Sequence, residues 1–131
     1  MTTAATAGRA AASRLVFARS MTEAQLQRHV LAAAAAFGLW TAHFRPARTA
    51  DGSWRTPVQG NGKGFPDLVI AGPGGVLFAE LKSQTGKLTA EQEQWRDRLE
   101  EAGAQWRLWR PLDWLEGRVQ DGLRALSKAG T

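Results

Sequence analysis

The sequence predicts an α/β domain built on a central mixed sheet of about four strands flanked by helices. Three observations carry this. Two apolar runs, 67–71 and 76–82, flank the turn sequence Gly72-Pro73-Gly74-Gly75, which marks a hairpin. Amphipathic segments with capping residues lie before and after it. A further alternating run, Gln105 to Arg110, is closed by Pro111. The expected order is helix, strand, hairpin, helix, strand, helix, with no internal repeat.

Residues 1–19 hold Ala, Thr and Arg, no acid, and no long apolar stretch. That composition is shared by transit peptides, by basic arms and by a start placed too far upstream. The segment is set outside the fold as a disordered basic arm, leaving 20–131 as one domain. A helix is predicted over 21–37, with Ser20-Met21-Thr22-Glu23 as its capping box. Leu26, Val30, Ala33, Ala34 and Phe37 form its apolar stripe, and Gly38 stops it. Leu39 to Phe44 reads as a first strand. Residues 46–64 are polar and punctuated by Gly and Pro, a length without structure that points to a functional loop. After the hairpin, Thr89 caps a second helix with Gln92 in the reciprocal position. Trp95, Leu99 and Ala102 mark its inner face, and Gly103 ends it. Leu115, Val119, Leu123 and Leu126 form a last amphipathic helix capped by Asp113.

Composition narrows the chemistry. The length of 131 residues suits one domain. With no cysteine, disulfides, thiolate zinc sites and thiol catalysis are excluded. His29 and His43 are the only histidines, so a metal is expected on carboxylates, which favours Mg2+ or Mn2+. Residues 1–66 hold eight Lys/Arg against Glu23 and Asp51 alone, whereas the remainder holds nine against ten acids. A basic half suggests a polyanionic partner, nucleic acid or an anionic membrane surface, although a solubilising excess looks similar. No apolar run approaches membrane-spanning length, so a soluble, cytoplasmic protein is expected.

The sharpest inference comes from the hairpin. If Gly72 to Gly75 form the loop, Ala71 faces Val76 and Asp67 lies directly opposite Glu80. Side chains so placed have Cβ atoms about 4.5–5.5 Å apart, and two carboxylates there repel. The return strand is apolar on both faces as far as Ala79, as a central strand would be. Two acids beside a dry core need a proton or a cation between them. Glu80 and Lys82 share a strand face, which adds an ammonium group. An acid pair with a lysine suits metal-assisted phosphodiester hydrolysis. A register slip of one residue would undo the arrangement.

Gly64-Phe65-Pro66-Asp67-Leu68-Val69 followed by Phe78-Ala79-Glu80-Leu81-Lys82 resembles the PD-(D/E)xK nuclease signature, and more narrowly its VRR-NUC branch. Further matches are Glu23 with Gln27, Gly38-Leu39-Trp40 with His43, Gly86-Lys87-Leu88-Thr89, Gln92 with Trp95, and Trp109-Arg110-Pro111 with Asp113-Trp114. The resemblance spans about residues 21–116 and implies a restriction-endonuclease-like core. It also implies that Asp67, Glu80 and the Leu81 carbonyl ligate Mg2+ or Mn2+, with Glu23 completing the acidic cluster. Lys82 would serve the attacking water, and Gln92 would lie beside the site. Stand-alone members are similar to homodimeric resolvases of four-way (Holliday) junctions, many of them from phages; fused members cut flapped or branched DNA.

Several assignments stay open. Glu23 fits both a ligand and a cap, and Gln92 both a cap and a site residue. His43 fits a core or surface role as well as a catalytic one. Arg45, Arg48, Arg55, Lys63 and Lys87 are candidate phosphate contacts, and Trp54 a candidate base-stacking residue. The tryptophans at 95, 106, 109 and 114 read as core. The leucine stripe of the last helix is a candidate homodimer interface or a packing face for its own sheet. Two other functions compete with DNA cleavage: a catalytically silent nucleic-acid-binding module, and a structural subunit of a phage or repair complex.

Overall fold

The computed structural model describes residues 3–44, 47–48, 50–52, 54–55 and 60–130, with the backbone alone at 47, 48, 54 and 55. In chain order the elements are α1 (Ala4–Ser20), α2 (Glu23–Ala36), β1 (Trp40–His43), β2 (Ala47–Arg48), β3 (Trp54–Arg55), β4 (Leu68–Gly72), β5 (Gly75–Leu81), α3 (Ala90–Glu101), β6 (Gln105–Trp109), α4 (Pro111–Leu115) and α5 (Arg118–Leu126). The main sheet has four strands in the order β1-β4-β5-β6. It is mixed: β1 and β5 run antiparallel to β4, and β6 runs parallel to β5. Helices flank it, as expected. Among the described residues no helix is long and apolar enough to cross a membrane.

Alternation along β4 and β5 divides the molecule. Leu68, Ile70, Leu77, Ala79 and Leu81 turn to one face and are buried under Leu26, Val30 and Ala34 of α2 and Val119, Leu123 and Leu126 of α5. On the opposite face Phe65 packs edge-on against both Phe78 and Trp95, bringing the α3 side over the sheet. Trp109 is buried, and Trp95, Trp106 and Trp114 are half-buried. Of the expected inner face of α3, Trp95 and Leu99 are half-buried but Ala102 is exposed.

The hairpin turn is tighter than predicted. Gly72 pairs with Gly75, leaving Pro73 and Gly74 as a two-residue turn, yet Ala71 still faces Val76. Register is pinned from outside: the Gly74 amide donates to the Leu126 carbonyl at 2.8 Å. A side chain at Gly72 or Gly74 would run into the backbone at the end of α5.

Four expectations are corrected. The arm set at 1–19 is helical over its described residues rather than disordered: α1 starts on Thr3, whose hydroxyl accepts the Thr6 amide, and its alanines have the highest helix propensity of any residue. It packs along α4 through a fully buried Ala18 and an Arg14–Glu116 ion pair at 3.6 Å. The cap of α2 is Thr22 with Gln25, not Ser20 with Glu23; the Ser20 hydroxyl donates to the Phe17 carbonyl and closes α1 instead. Glu23 therefore sits in the exposed first turn. The loop 46–64 is not wholly structureless, because β2 and β3 pair within it. The last helix is split at Gly117, which takes φ +84°, and the Asp113 carboxylate accepts the Arg110 amide at 2.7 Å to cap the short α4 rather than α5. The stripe Val119, Leu123 and Leu126 is buried in its own core, so it is the packing face of α5 rather than an exposed interface.

The corrected cap has a measurable consequence. Thr22→Ala should destabilise the protein by about 0.5–2 kcal/mol, and Ser20→Ala by less than half as much. Urea denaturation of the two variants distinguishes them. The reverse ranking would return the cap to Ser20.

Candidate active site

The pairing of Leu68 with Ala79 places Asp67, one residue before β4, across from Glu80. Two backbone contacts tie Asp67 down. Its carboxylate accepts the Leu81 amide at 2.8 Å, and its carbonyl accepts the Phe44 amide at 3.0 Å from the end of β1. Among the described residues Glu80 is the one charged side chain that is buried, at 2 % exposure, on the sheet face opposite the main core. On the far side, Gln92 Nε2 donates to Glu80 Oε1 at 3.0 Å, while Gln92 Oε1 accepts the Thr89 amide at 2.9 Å. The cap of α3 and the contact with Glu80 are thus made by a single side chain. Capping fixes the amide, and the fixed amide leaves its N–H aimed at the acid.

Burial is the main reason that the Glu80 carboxyl is pushed up from 4.5 to about 9. A hydrogen bond with Asp67 and the Asp67 charge add to this; Lys82 opposes it, and the charge of Glu23 adds slightly. At neutral pH the pair therefore holds a proton where the sequence argument expected a proton or a cation. Glu23 contributes its field but is exposed. Among the described residues no three His, Asp or Glu side chains are grouped closely enough to hold a metal alone. The predicted three-acid cluster is therefore not assembled; the grouped acids are Asp67 and Glu80. Their oxygens nevertheless suit a hard cation, and Mg2+ commonly uses one or two carboxylates and keeps several waters.

Lys82 follows β5 directly, and its amide donates to the Trp109 carbonyl at 3.1 Å. The next turn is held by Arg110, a residue to which sequence reasoning gave no role. Arg110 Nη1 donates to the carbonyls of Ser83 at 2.7 Å and Gly86 at 2.6 Å. No local pattern signalled it: only the parallel pairing of β6 with β5, Leu81 opposite Trp109, brings Arg110 out beside Lys82. His43 Nδ1 lies 3.3 Å from Gln27 Nε2, so the two matched residues on β1 and α2 meet.

The DNA-contact candidates are less gathered. Lys63 is exposed and pairs with Glu91 at 3.2 Å, and Lys87 is exposed on the segment after Lys82. Arg45 lies outside the described residues. Arg48, Trp54 and Arg55 lie on β2 and β3, and their side chains lie outside the described residues.

A four-stranded mixed sheet carrying opposed acids in its central hairpin and a lysine at the strand end has the architecture of a restriction-endonuclease-like, nuclease-type domain. The chain belongs to the VRR-NUC domain family, whose model matches residues 20–110. No curated protein and no solved structure matches the chain.

Proposed function

We propose that this protein is a Mg2+- or Mn2+-dependent endonuclease that hydrolyses DNA phosphodiester bonds, with branched structures such as flaps and four-way junctions as its substrates. The observation that carries the reading is Glu80, buried, held by Gln92 and pressed against Asp67 across the hairpin. A structural carboxylate gains nothing from that position, since burying an acid beside another acid costs stability.

Asp67 and Glu80 would hold the cation, together with the Leu81 carbonyl. A divalent ion supplies charge neutralisation at the phosphoryl oxygens and a lowered pKa for bound water. The protein's own part is positional. The Leu81 amide fixes Asp67, Gln92 fixes Glu80, and Lys82 at the strand end is near enough for its charge to act on Glu80. Its ammonium would orient the attacking water or offset charge developing on the phosphate. Exposed Lys87 would meet a neighbouring phosphate, whereas Lys63 would first have to leave its ion pair with Glu91.

The test is incubation of purified protein with labelled linear, flapped and four-way DNA, in magnesium and in chelator. Cleavage of the branched substrates in magnesium alone is expected. Binding without cleavage would favour the silent binding module, and neither binding nor cleavage the structural subunit.

A further inference from the structure

A groove of about 750 Å³ opens between the segment entering β4 and one face of α3. Glu91, Gln94, Trp95 and Arg98 line it from the helix at spacings of three, four and seven residues, and Asn61 and Lys63 line it from the segment. Its wall is tightly built. Trp95 Nε1 donates to the Asn61 carbonyl at 2.8 Å, and a side chain at Gly64 would collide with the Glu91 backbone. The groove and the acid pair share α3: Gln92, which holds Glu80, follows Glu91 of the groove in the same helical turn. Trp95 follows Gln92 by roughly 4.5 Å along the helix axis, and Arg98 by roughly 9 Å.

The lining has the chemistry of a nucleotide. Half-buried Trp95, its N–H already satisfied, has an indole ring with which a base can stack. The side-chain amides of Asn61 and Gln94 carry donors and acceptors for a base edge. Glu91 neutralises Lys63, whereas Arg98 has no ion pair among the described residues and can meet a phosphate. A paired base inside a duplex cannot reach such a groove, because its faces are covered by its neighbours.

We propose that this groove receives an unpaired nucleotide of the DNA strand bound at Asp67 and Glu80, and that it gives the protein its preference for branched substrates. The proposal rests on the nuclease reading but is tested separately from it. Binding is measured in chelator, where no cleavage occurs, by anisotropy with a blunt duplex and with the same duplex bearing a short single-stranded flap. A 2-aminopurine at the first unpaired position reports stacking through quenching.

Wild type should bind the flapped duplex more tightly and quench the probe. Arg98→Ala, Gln94→Ala and Trp95→Leu should each lose at least about fivefold in affinity for the flapped duplex, with blunt-duplex binding nearly unchanged. Trp95→Phe should retain most of the preference and confirm that the loss in Trp95→Leu is not misfolding. Equal losses on both duplexes, or none on either, would overturn the proposal. A protein that shows the preference yet cuts no DNA would leave the groove standing and remove the nuclease reading. One that cuts DNA while all the variants bind like wild type would do the reverse.

Discussion

Lys82→Ala should slow DNA cleavage by about 10²- to 10³-fold, the usual cost of losing one group that stabilises charge in a transition state. Asp67→Asn and Glu80→Gln should cost at least as much, because each removes a charge that the proposed cation needs. All three should still bind DNA, since phosphate contacts are supplied elsewhere. Gln92→Ala should fall between wild type and these variants: it frees one oxygen of Glu80 and also removes the reciprocal half of the α3 cap. Single-turnover cleavage of a labelled junction separates these effects from product release. Wild-type rates in Lys82→Ala would take the lysine out of the reaction.

The second large effect is on stability without metal. Folded Glu80 keeps its proton up to about pH 9, whereas the unfolded chain releases it near 4.5. Between those values the unfolded state binds fewer protons, so stability is complete below the lower one and declines as pH rises toward the upper one. The slope should approach 1 kcal/mol per pH unit in order of magnitude, a fall in Tm of roughly several degrees between pH 6 and pH 8. Glu80→Gln should abolish this slope. Its amide can accept from Gln92 and donate to Asp67, replacing the shared proton with a permanent one. Magnesium should raise the Tm of wild type at pH 8 and leave Glu80→Gln nearly unaffected. Calorimetry in chelator across this range decides the matter, and parallel curves for the two proteins would mean that Glu80 is ionised in the folded state.

The parts of this site legible in sequence were those governed by short-range rules. Strand alternation and the glycine-rich turn placed Asp67 against Glu80, and the register survived even though the turn is two residues rather than four. Thr89 and Gln92 announced their cap three residues apart. What remained hidden depended on contacts distant in the chain. Whether Ser20 or Thr22 caps α2 is settled by where α1 ends, and α1 itself lacks the amphipathic stripe by which helices are recognised. The Arg110 contacts join residues 24 to 27 apart in sequence, through a parallel pairing that no local pattern encodes. Glu23 shares a helix with the inward Leu26 and Val30, but a helix start offers no preceding turn to shield its first side chains.

The contact between the hairpin turn and the end of α5 also bears on biosynthesis. Gly74 is held by Leu126, at the opposite end of the strands from Asp67 and roughly 17 Å from it along β4. The register that sets the two acids face to face is thus secured by a segment made after every residue of the site. A nascent chain carries Asp67, Glu80 and Lys82 out of the ribosome while that anchor is still untranslated. If the acid pair cuts DNA as proposed, that activity should wait for the arrival of α5, whose Leu126 carbonyl holds the turn.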